Sequence, residues 1–592
     1  MMKFGIIFIF IIGLTFVKTV NAQFYIRGEV LNEKSEGLQN VKIIVHSTGL
    51  LYNSGSEGAF GILGANQNDS LSFYLDGYEA LHVRVNTANY VKVNLKMKAF
   101  TASLQHQALV SIAGDLDKGL NQKRTVGEET YSASLENRFI STQIYPSTSF
   151  VPNGNRASYS NIRRFINTNS IIPTDGVRIE EMLNYFNFTN KTPLPDSIFG
   201  LQNTLTNCPW NPENQLFFVQ LNAKKVDLRK VPPSNLVFLI DVSGSMDMPN
   251  RLPLLKSSFQ KLVQNLRTID TLSIVVYGGV VGVMLPPTSG AEKAKILEAI
   301  EALTPEGSTP GEAGITQAYR LARNQFIKGG NNRIILATDG DFNVGQTTEK
   351  ELDEMISRER NSGIYLTCLG VGMGNYKDSK IEILAKKGNG NFAYLDTEEE
   401  GEKVLVKEFT QTLYSVADDV FINIKFNPDF VKRYRLIGFD NKRKALEDST
   451  SILEGGEIGS GNTMTAIFEI EPARSPSFNS LNLITNNPFA TTKIHYKLPQ
   501  KKESKYSNFI TTYNFEPYQT IPQELKFASS VALFGSILKQ SDFTSNAKWE
   551  ELIKMTEESI DGINLVQKQF LDLVIKAQKL YSPPKKKKII GF

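Results

Sequence analysis

Cysteine is almost missing from this chain. Its 592 residues include two, Cys208 and Cys368, so a fold stapled by several disulfides is excluded. Export would permit a bridge between them. Cys368, however, sits in the apolar run 364–371, the setting of a buried core thiol, and two unpaired thiols are expected. Histidine is scarce as well, with four residues: His46, His82, His106 and His495. None lies in the region where the candidate chemistry gathers, which leaves zinc poorly served and a serine nucleophile without its usual base. No G-x-S-x-G elbow surrounds Ser243 or Ser245, and there is no G-x-x-x-x-G-K-[ST] phosphate loop; the expectation is a protein that is not an enzyme. The body also lacks an excess of one charge. The formal charge is +4, but Lys3, Lys18 and the run from Lys585 to Lys588 lie at the two ends. Taking those six cations away leaves −2, so the electrostatic footprint of a nucleic-acid-binding protein is missing. After the N-terminal segment no apolar run is long enough to span a bilayer.

The length suggests about four units at roughly 150 residues each. Lys3, the apolar stretch 4–17 and Val20-Asn21-Ala22 read as a secretory signal peptide over 1–22, cleaved before Gln23. Residues 23–97 alternate polar and apolar in short runs, with turn signals at Asn53-Ser54-Gly55, Glu57-Gly58 and Asp76-Gly77; they predict an N-terminal β-sandwich. Residues 98–146 are polar and weakly periodic, and read as a linker. The segment 147–232 opens helical, with Ile162, Phe165, Ile166 and then Ile179, Met182, Leu183, Phe186 at spacings of three and four, and ends in a strand over 216–221. Residues 233–415 alternate apolar strands (236–240, 272–277, 333–338, 363–371) with helical segments, which predicts a parallel sheet with helices on both faces. Residues 416–582 turn β-rich again and become helical over 523–581. The fold class is therefore multidomain, α/β plus β. The strand at 216–221 is expected to pair with strands after Val420, making the α/β domain an insertion in a flanking β domain, with the C-terminal helices packed against it. Residues 583–592 form a basic, solvated tail.

The chemistry gathers in the α/β region. An apolar strand ends in Asp241 and is followed by Ser243 and Ser245 at alternate positions. Asp339 closes the strand 333–338, and Thr309 lies in the glycine-flanked loop Gly307-Ser308-Thr309-Pro310-Gly311 ahead of a helix. Each of these alone reads equally well as a turn or a helix cap. Together, at strand ends of one domain, they sit where open parallel sheets bind ligands. The hydroxyls of Ser243, Ser245 and Thr309 can ligate a hard cation directly; Asp241 and Asp339 can ligate it or orient its waters. Such an oxygen set suits Mg²⁺, with Mn²⁺ or Ca²⁺ as alternatives. Two carboxylates balance the dication and leave it electrophilic, so the Asp or Glu of a protein ligand can fill an open position.

The pattern Asp241-x-Ser243-x-Ser245 with Thr309 and Asp339 is similar to the metal-ion-dependent adhesion site of von Willebrand factor type A (VWA) domains. The resemblance implies a Rossmann-like VWA domain over 233–415 that binds proteins through its metal. The stretches 157–165 and 177–186, Cys208-Pro-Trp-Asn-Pro212 and 456–461 resemble the bacterial YfbK-like group, over roughly 147–580. Members of that group usually carry acidic residues just ahead of Ala157, where this chain has Asn153, Asn155 and Arg156. Within 23–97, Gly28-Glu29-Val30, Asn40-Val41, 56–60 and Gly77-Tyr78-Glu79 resemble the carboxypeptidase regulatory-like domain, common at the front of exported bacterial envelope proteins. The expected function is metal-dependent binding of a partner protein, in adhesion or interaction, in the periplasm or on the surface of a Gram-negative-type bacterium. The alternative is a scaffolding protein of the envelope whose metal site is not used for ligand binding.

Overall fold

The computed structural model describes residues 24–33, 35–55, 57–75, 78–96, 129, 131, 136–152, 154–186, 188, 192–227, 229–278, 281–307, 311–340, 349–373, 376–439, 455–473 and 488–582. The expected signal peptide, most of the expected linker, Thr309 and the basic tail lie outside these. The chain divides into two units, Met1–Gln122 and Lys123–Phe592. Among the described residues no helix is long and apolar enough to cross a membrane.

Period-two alternation builds the first unit. In β1 (Phe24–Leu31) Ile26 and Val30 are fully buried while Tyr25 is exposed. One sheet has the order β4 (Ala59–Gly64), β1, β7 (Val91–Asn94). The other has the order β3 (Leu51–Asn53), β2 (Lys42–Val45), β5 (Asn68–Tyr74), β6 (Leu81–Asn86). Both contribute to one core, with Ile26, Val30 and Phe60 from the first and Ile43, Leu71 and Phe73 from the second.

The second unit enters through β8 (Ile140–Ser141), β9 (Ser147–Phe150), helices α1 (Ala157–Asn167) and α2 (Ile179–Tyr185), then β10 (Phe199–Asn207) and β11 (Gln215–Ala223). The α/β region follows: β12 (Ser234–Asp241), α3 (Leu252–Val263), β13 (Thr271–Tyr277), β14 (Gly282–Ser289), α4 (Lys293–Glu301), α5 (Gly311–Asn324), β15 (Asn331–Thr338), α6 (Glu349–Asn361), β16 (Ile364–Val371), α7 (Asp378–Lys387), β17 (Phe392–Leu395), α8 (Glu398–Glu402) and, after one π-helical turn, α9 (Phe409–Leu413). The chain returns through β18 (Ser415–Phe426), β19 (Val431–Ile437), β20 (Gly456–Gly459), β21 (Thr463–Pro472), β22 (Ala490–Lys497) and β23 (Ser504–Thr511), and ends in α10 (Gln523–Leu538), α11 (Trp549–Ser559) and α12 (Leu565–Tyr581).

The central sheet has the order β14-β13-β12-β15-β16-β17; β14 is antiparallel to β13 and the other pairings are parallel. Every residue of β12 is buried, as a central strand covered on both faces requires. Its alternate side chains feed two cores. Leu236, Phe238 and Ile240 pack with Leu255, Phe259 and Leu262 of α3; Val237 and Leu239 pack with Ile315, Ala318 and Tyr319 of α5. Helices on both faces follow directly.

The flanking strands form two sheets, β10-β11-β21-β19-β8 and β20-β18-β22-β23, with β9 on β18, around one core that includes Phe217, Phe426 and Phe468. The expected pairing is present: β11 runs antiparallel to β21, with Leu216 opposite Glu469 and Leu221 opposite Met464. The Ser234 and Tyr414 hydroxyls are 3.0 Å apart, so the inserted region enters and leaves at one place. Helices α1, α2, α10 and α12 share a further core, in which Phe570 meets Tyr159, Phe186, Phe527 and Phe534. Cys208 and Cys368 are buried, unpaired and in different cores.

One expectation needs correction. Parts of the 98–146 stretch belong to the folded body. Strand β8 pairs with β19 through Ile140 and Tyr434, and Glu129 grips Arg164 with both carboxylate oxygens at 2.7 Å. These ties are polar and long-range, so they leave no apolar period to read.

In isolation, a 415–582 fragment would leave β18 without β9 and β21 without β11, exposing the shared core. It is expected to lack a cooperative melt and near-UV circular dichroism; a sharp transition would contradict this interlocked arrangement. In the full chain, Phe570→Ala is expected to lower stability by about 3–5 kcal/mol in denaturant titration, because a fully buried ring leaves a cavity.

Candidate metal site

Strand order dictates where the site lies. The chain runs from β12 to β13 on one side and later to β15 on the other, so the carboxyl ends of β12 and β15 flank the switch crevice. Asp241 is the last residue of β12, and Asp339 immediately follows β15. The turn after Asp339 needs Gly340, whose φ is +91° and whose hypothetical Cβ would lie 2.5 Å from the backbone nitrogen of Lys377.

The loop after β12 is held by its own backbone. Val242 N–H donates to Tyr277 at 2.9 Å, and Gly244 N–H donates to Gly307 at 3.1 Å. The second bond brings the flank of the glycine loop against the serine loop; Thr309 itself lies outside the described residues. The other four residues predicted from the sequence converge. Ser243 N–H donates to Asp241 Oδ1 at 2.9 Å. The Ser243 and Ser245 hydroxyls are 3.1 Å apart, and Ser245 Oγ donates to Asp339 Oδ2 at 2.8 Å. Asp241, Ser243 and Asp339 are buried, while Ser245 is exposed, so the cluster opens to solvent at Ser245.

Burial pushes the Asp241 carboxyl up to about 6, against the opposing hydrogen bonds from Ser243; the nearby Asp339 carboxylate adds to the rise. The same burial, with Asp241 beside it, pushes the Tyr277 phenol well above its ordinary range.

The donor set fits a hard dication. Oxygen ligands at about 2.0–2.1 Å from Mg²⁺ lie about 2.9 Å apart at adjacent corners of an octahedron. The steps Ser243 Oγ to Ser245 Oγ to Asp339 Oδ2, at 3.1 and 2.8 Å, match that spacing. Among the described residues no three His, Cys, Asp or Glu side chains cluster as a metal-binding group; the oxygens gathered here are two carboxylates and two serine hydroxyls. Ser243 and Ser245 could hold Mg²⁺ directly, with Asp241 and Asp339 as ligands or as acceptors for its waters.

Two contributors were not apparent from the sequence. Thr338 Oγ1 donates to Asp241 Oδ2 at 3.0 Å and accepts from Gly340 N–H at 3.1 Å. Arg251 Nη1 donates to Asp339 Oδ2 and to the Ser245 carbonyl, each at 2.7 Å, and Nη2 donates to the Met373 carbonyl at 3.0 Å. The signal for Arg251 is slight: it is the first cation after the serine loop, one residue ahead of α3.

Comparison with known proteins bears on the whole second unit. The family model for the von Willebrand factor type A domain matches residues 235–411, that for the C-terminal region of the uncharacterized protein YfbK matches 411–580, and one described as von Willebrand factor matches 125–218. All three fall outside the first unit, which stands on its two-sheet geometry alone. The uncharacterized protein YfbK of Escherichia coli (strain K12) is 38% identical over 433 residues, covering 70% of this chain and 75% of its own length. Inter-alpha-trypsin inhibitor heavy chain H3 of Mesocricetus auratus is 26% identical over 168 residues, covering 27% of this chain and 19% of its own length. Among solved structures, a von Willebrand factor type A protein from Catenulispora acidiphila is 13% identical, covers 65% of this chain and 91% of its own, and superposes with a TM-score of 0.40. On the match to the Escherichia coli protein and the two adjoining family models, the chain belongs to the YfbK family, whose central part is a von Willebrand factor type A domain.

Proposed function

We propose that this is an exported envelope protein that binds a partner protein through a divalent cation, preferably Mg²⁺, held by Asp241, Ser243, Ser245, Thr309 and Asp339. A VWA domain implies protein–protein interaction or adhesion; the finer reading rests on the site. The observation that carries it is the run of oxygens from Ser243 through Ser245 to Asp339, at octahedral spacing and open to solvent at one end. When bound, the cation supplies an electrophilic position that an Asp or Glu of the partner can take. The chain's own groups orient it: Thr338 and the Ser243 N–H hold Asp241, and Arg251 holds Asp339.

A binding role is favoured over catalysis because, among the described residues, no histidine lies in the crevice. His46 and His82 lie in the first unit, and His495 lies on β22 of a flanking sheet. The domain reading places the signal peptide at 1–22, the carboxypeptidase regulatory-like module at 23–97 and the VWA domain at 233–415.

Titrating Mg²⁺ or Mn²⁺ into the metal-stripped protein by calorimetry should give saturable binding, lost by at least about ten-fold in Asp241→Ala with the circular dichroism spectrum unchanged. Equal binding in a folded Asp241→Ala variant would overturn the assignment. Acidity gives a second test. The Asp241 carboxyl is raised from 3.8 to about 6 in the fold, so its contribution to metal-free stability is full below about pH 4 and is lost as pH rises through about 6. Metal requires the ionised form and is displaced by the proton. The rise in melting temperature produced by Mg²⁺ should therefore be present at about pH 7.5 and largely gone by about pH 5; a rise that persists undiminished would exclude Asp241 from the site.

A further inference from the structure

Arg251 is built into the crevice more firmly than an incidental ion pair would be. Its guanidinium spans three loops, those that follow β12, β15 and β16: it reaches the Ser245 carbonyl, the Asp339 carboxylate and the Met373 carbonyl. It is 8% exposed and Asp339 is 1% exposed, so the pair is poorly screened by solvent. The third loop is shaped to admit it. Gly372 has φ of +83°, and a Cβ there would lie 2.5 Å from Arg251 Nε and 3.1 Å from its Cγ and Cδ. The Tyr394 hydroxyl donates to the Gly372 carbonyl and holds that loop in place. A glycine in a left-handed conformation, pinned from behind, forms the wall of a slot for the arginine side chain.

This changes the charge of the site. Asp241 and Asp339 alone would neutralise a dication. Among the described residues, Asp241, Asp339 and Arg251 together sum to −1, against −2 for the two carboxylates alone, because a permanently charged guanidinium rests on Asp339. A cation is then repelled by a fixed neighbour and held less tightly by Asp339, one of whose oxygens is engaged. Both effects are relieved when a further anion joins the cluster.

Building on the metal-site reading above, we propose that Arg251 is a positioning residue that acts as a resident counter-charge, holding metal affinity low until a carboxylate from the partner completes the site. Arg251 thus couples metal occupancy to partner engagement. Its second effect is to keep Asp339 oriented while no metal is bound, since an isolated buried carboxylate is strongly disfavoured.

The test uses the full chain, with Mn²⁺ as the probe, followed through the electron paramagnetic resonance signal of the free aquo ion, with and without acetate as a carboxylate surrogate. The wild type should bind Mn²⁺ weakly and gain several-fold on adding acetate. Arg251→Gln should bind Mn²⁺ alone on the order of ten-fold more tightly and lose most of the acetate dependence, while Arg251→Lys, which keeps the charge, should behave like the wild type. Mn²⁺ should also raise the melting temperature of Arg251→Gln more than that of the wild type. If Arg251→Gln proves unfolded, Gly372→Ala reports from the other side: it closes the slot on Nε, and expulsion of the guanidinium should likewise tighten Mn²⁺. Unchanged or weaker Mn²⁺ binding in folded Arg251→Gln, alongside wild-type binding that Asp241→Ala abolishes, would overturn this role and leave the metal site standing. Absence of saturable Mn²⁺ binding in every variant, with or without acetate, would remove the metal reading and this role together.

Discussion

The ladder between β11 and β21 is the contact on which the second unit depends. It joins residues 215–222 to 463–470 in antiparallel register, and the α/β region between Ser234 and Tyr414 is carried as an insertion. A long insertion adds little loop-closure cost, since that cost grows only slowly with length. Here it adds less strain still, because the inserted region returns to its starting point at Ser234 and Tyr414. The α/β domain can thus keep its own two cores while the flanking strands close a third around Phe217, Phe426 and Phe468.

Buried ion pairs then orient the insertion. Arg333 of β15 meets Glu457 of β20 at 2.5 Å, with both side chains almost fully buried. Burial pushes the Glu457 carboxyl up to about 7 even against the pull of the arginine. Arg178, just ahead of α2, reaches Asp378 of α7 at 2.6 Å, and Arg163 of α1 reaches Asp396 at 2.5 Å. Apolar faces would tolerate some sliding; charge pairs of this kind cannot be broken without stranding a buried ion. They fix the central sheet relative to the helices and strands around it.

The site follows from the same economy of burial. A strand covered on both faces can present polar groups only where it ends, and β12 ends in Asp241. That carboxylate is held by two donors, the Ser243 N–H and the Thr338 hydroxyl, yet burial still raises it. Asp339 is buried as well and is held by Arg251 and Ser245. The crevice therefore gathers hydroxyl and carboxylate oxygens in one hydrogen-bonded run with one side open to solvent.

Much of this was legible in the chain alone, because it is written in local periods. Residues 236–240 as a strand, the helical segments between the strands, and the placing of Asp241 and Asp339 at strand ends need only neighbouring residues to be read. The Asp-x-Ser-x-Ser spacing is local too, since alternate residues after a strand end project to the same side. Glu129, Arg251 and Thr338 had no such signal. Glu129 finds its partner 35 residues away, Arg251 finds Asp339 at a separation of 88, and Thr338 finds Asp241 at 97. The sequence by itself determined the strands and helices of the body and the insertion, and it put forward the oxygen set of the candidate site. Only the tertiary structure decided that Arg251 rests on Asp339, because a guanidinium meets a carboxylate through space and not along the chain.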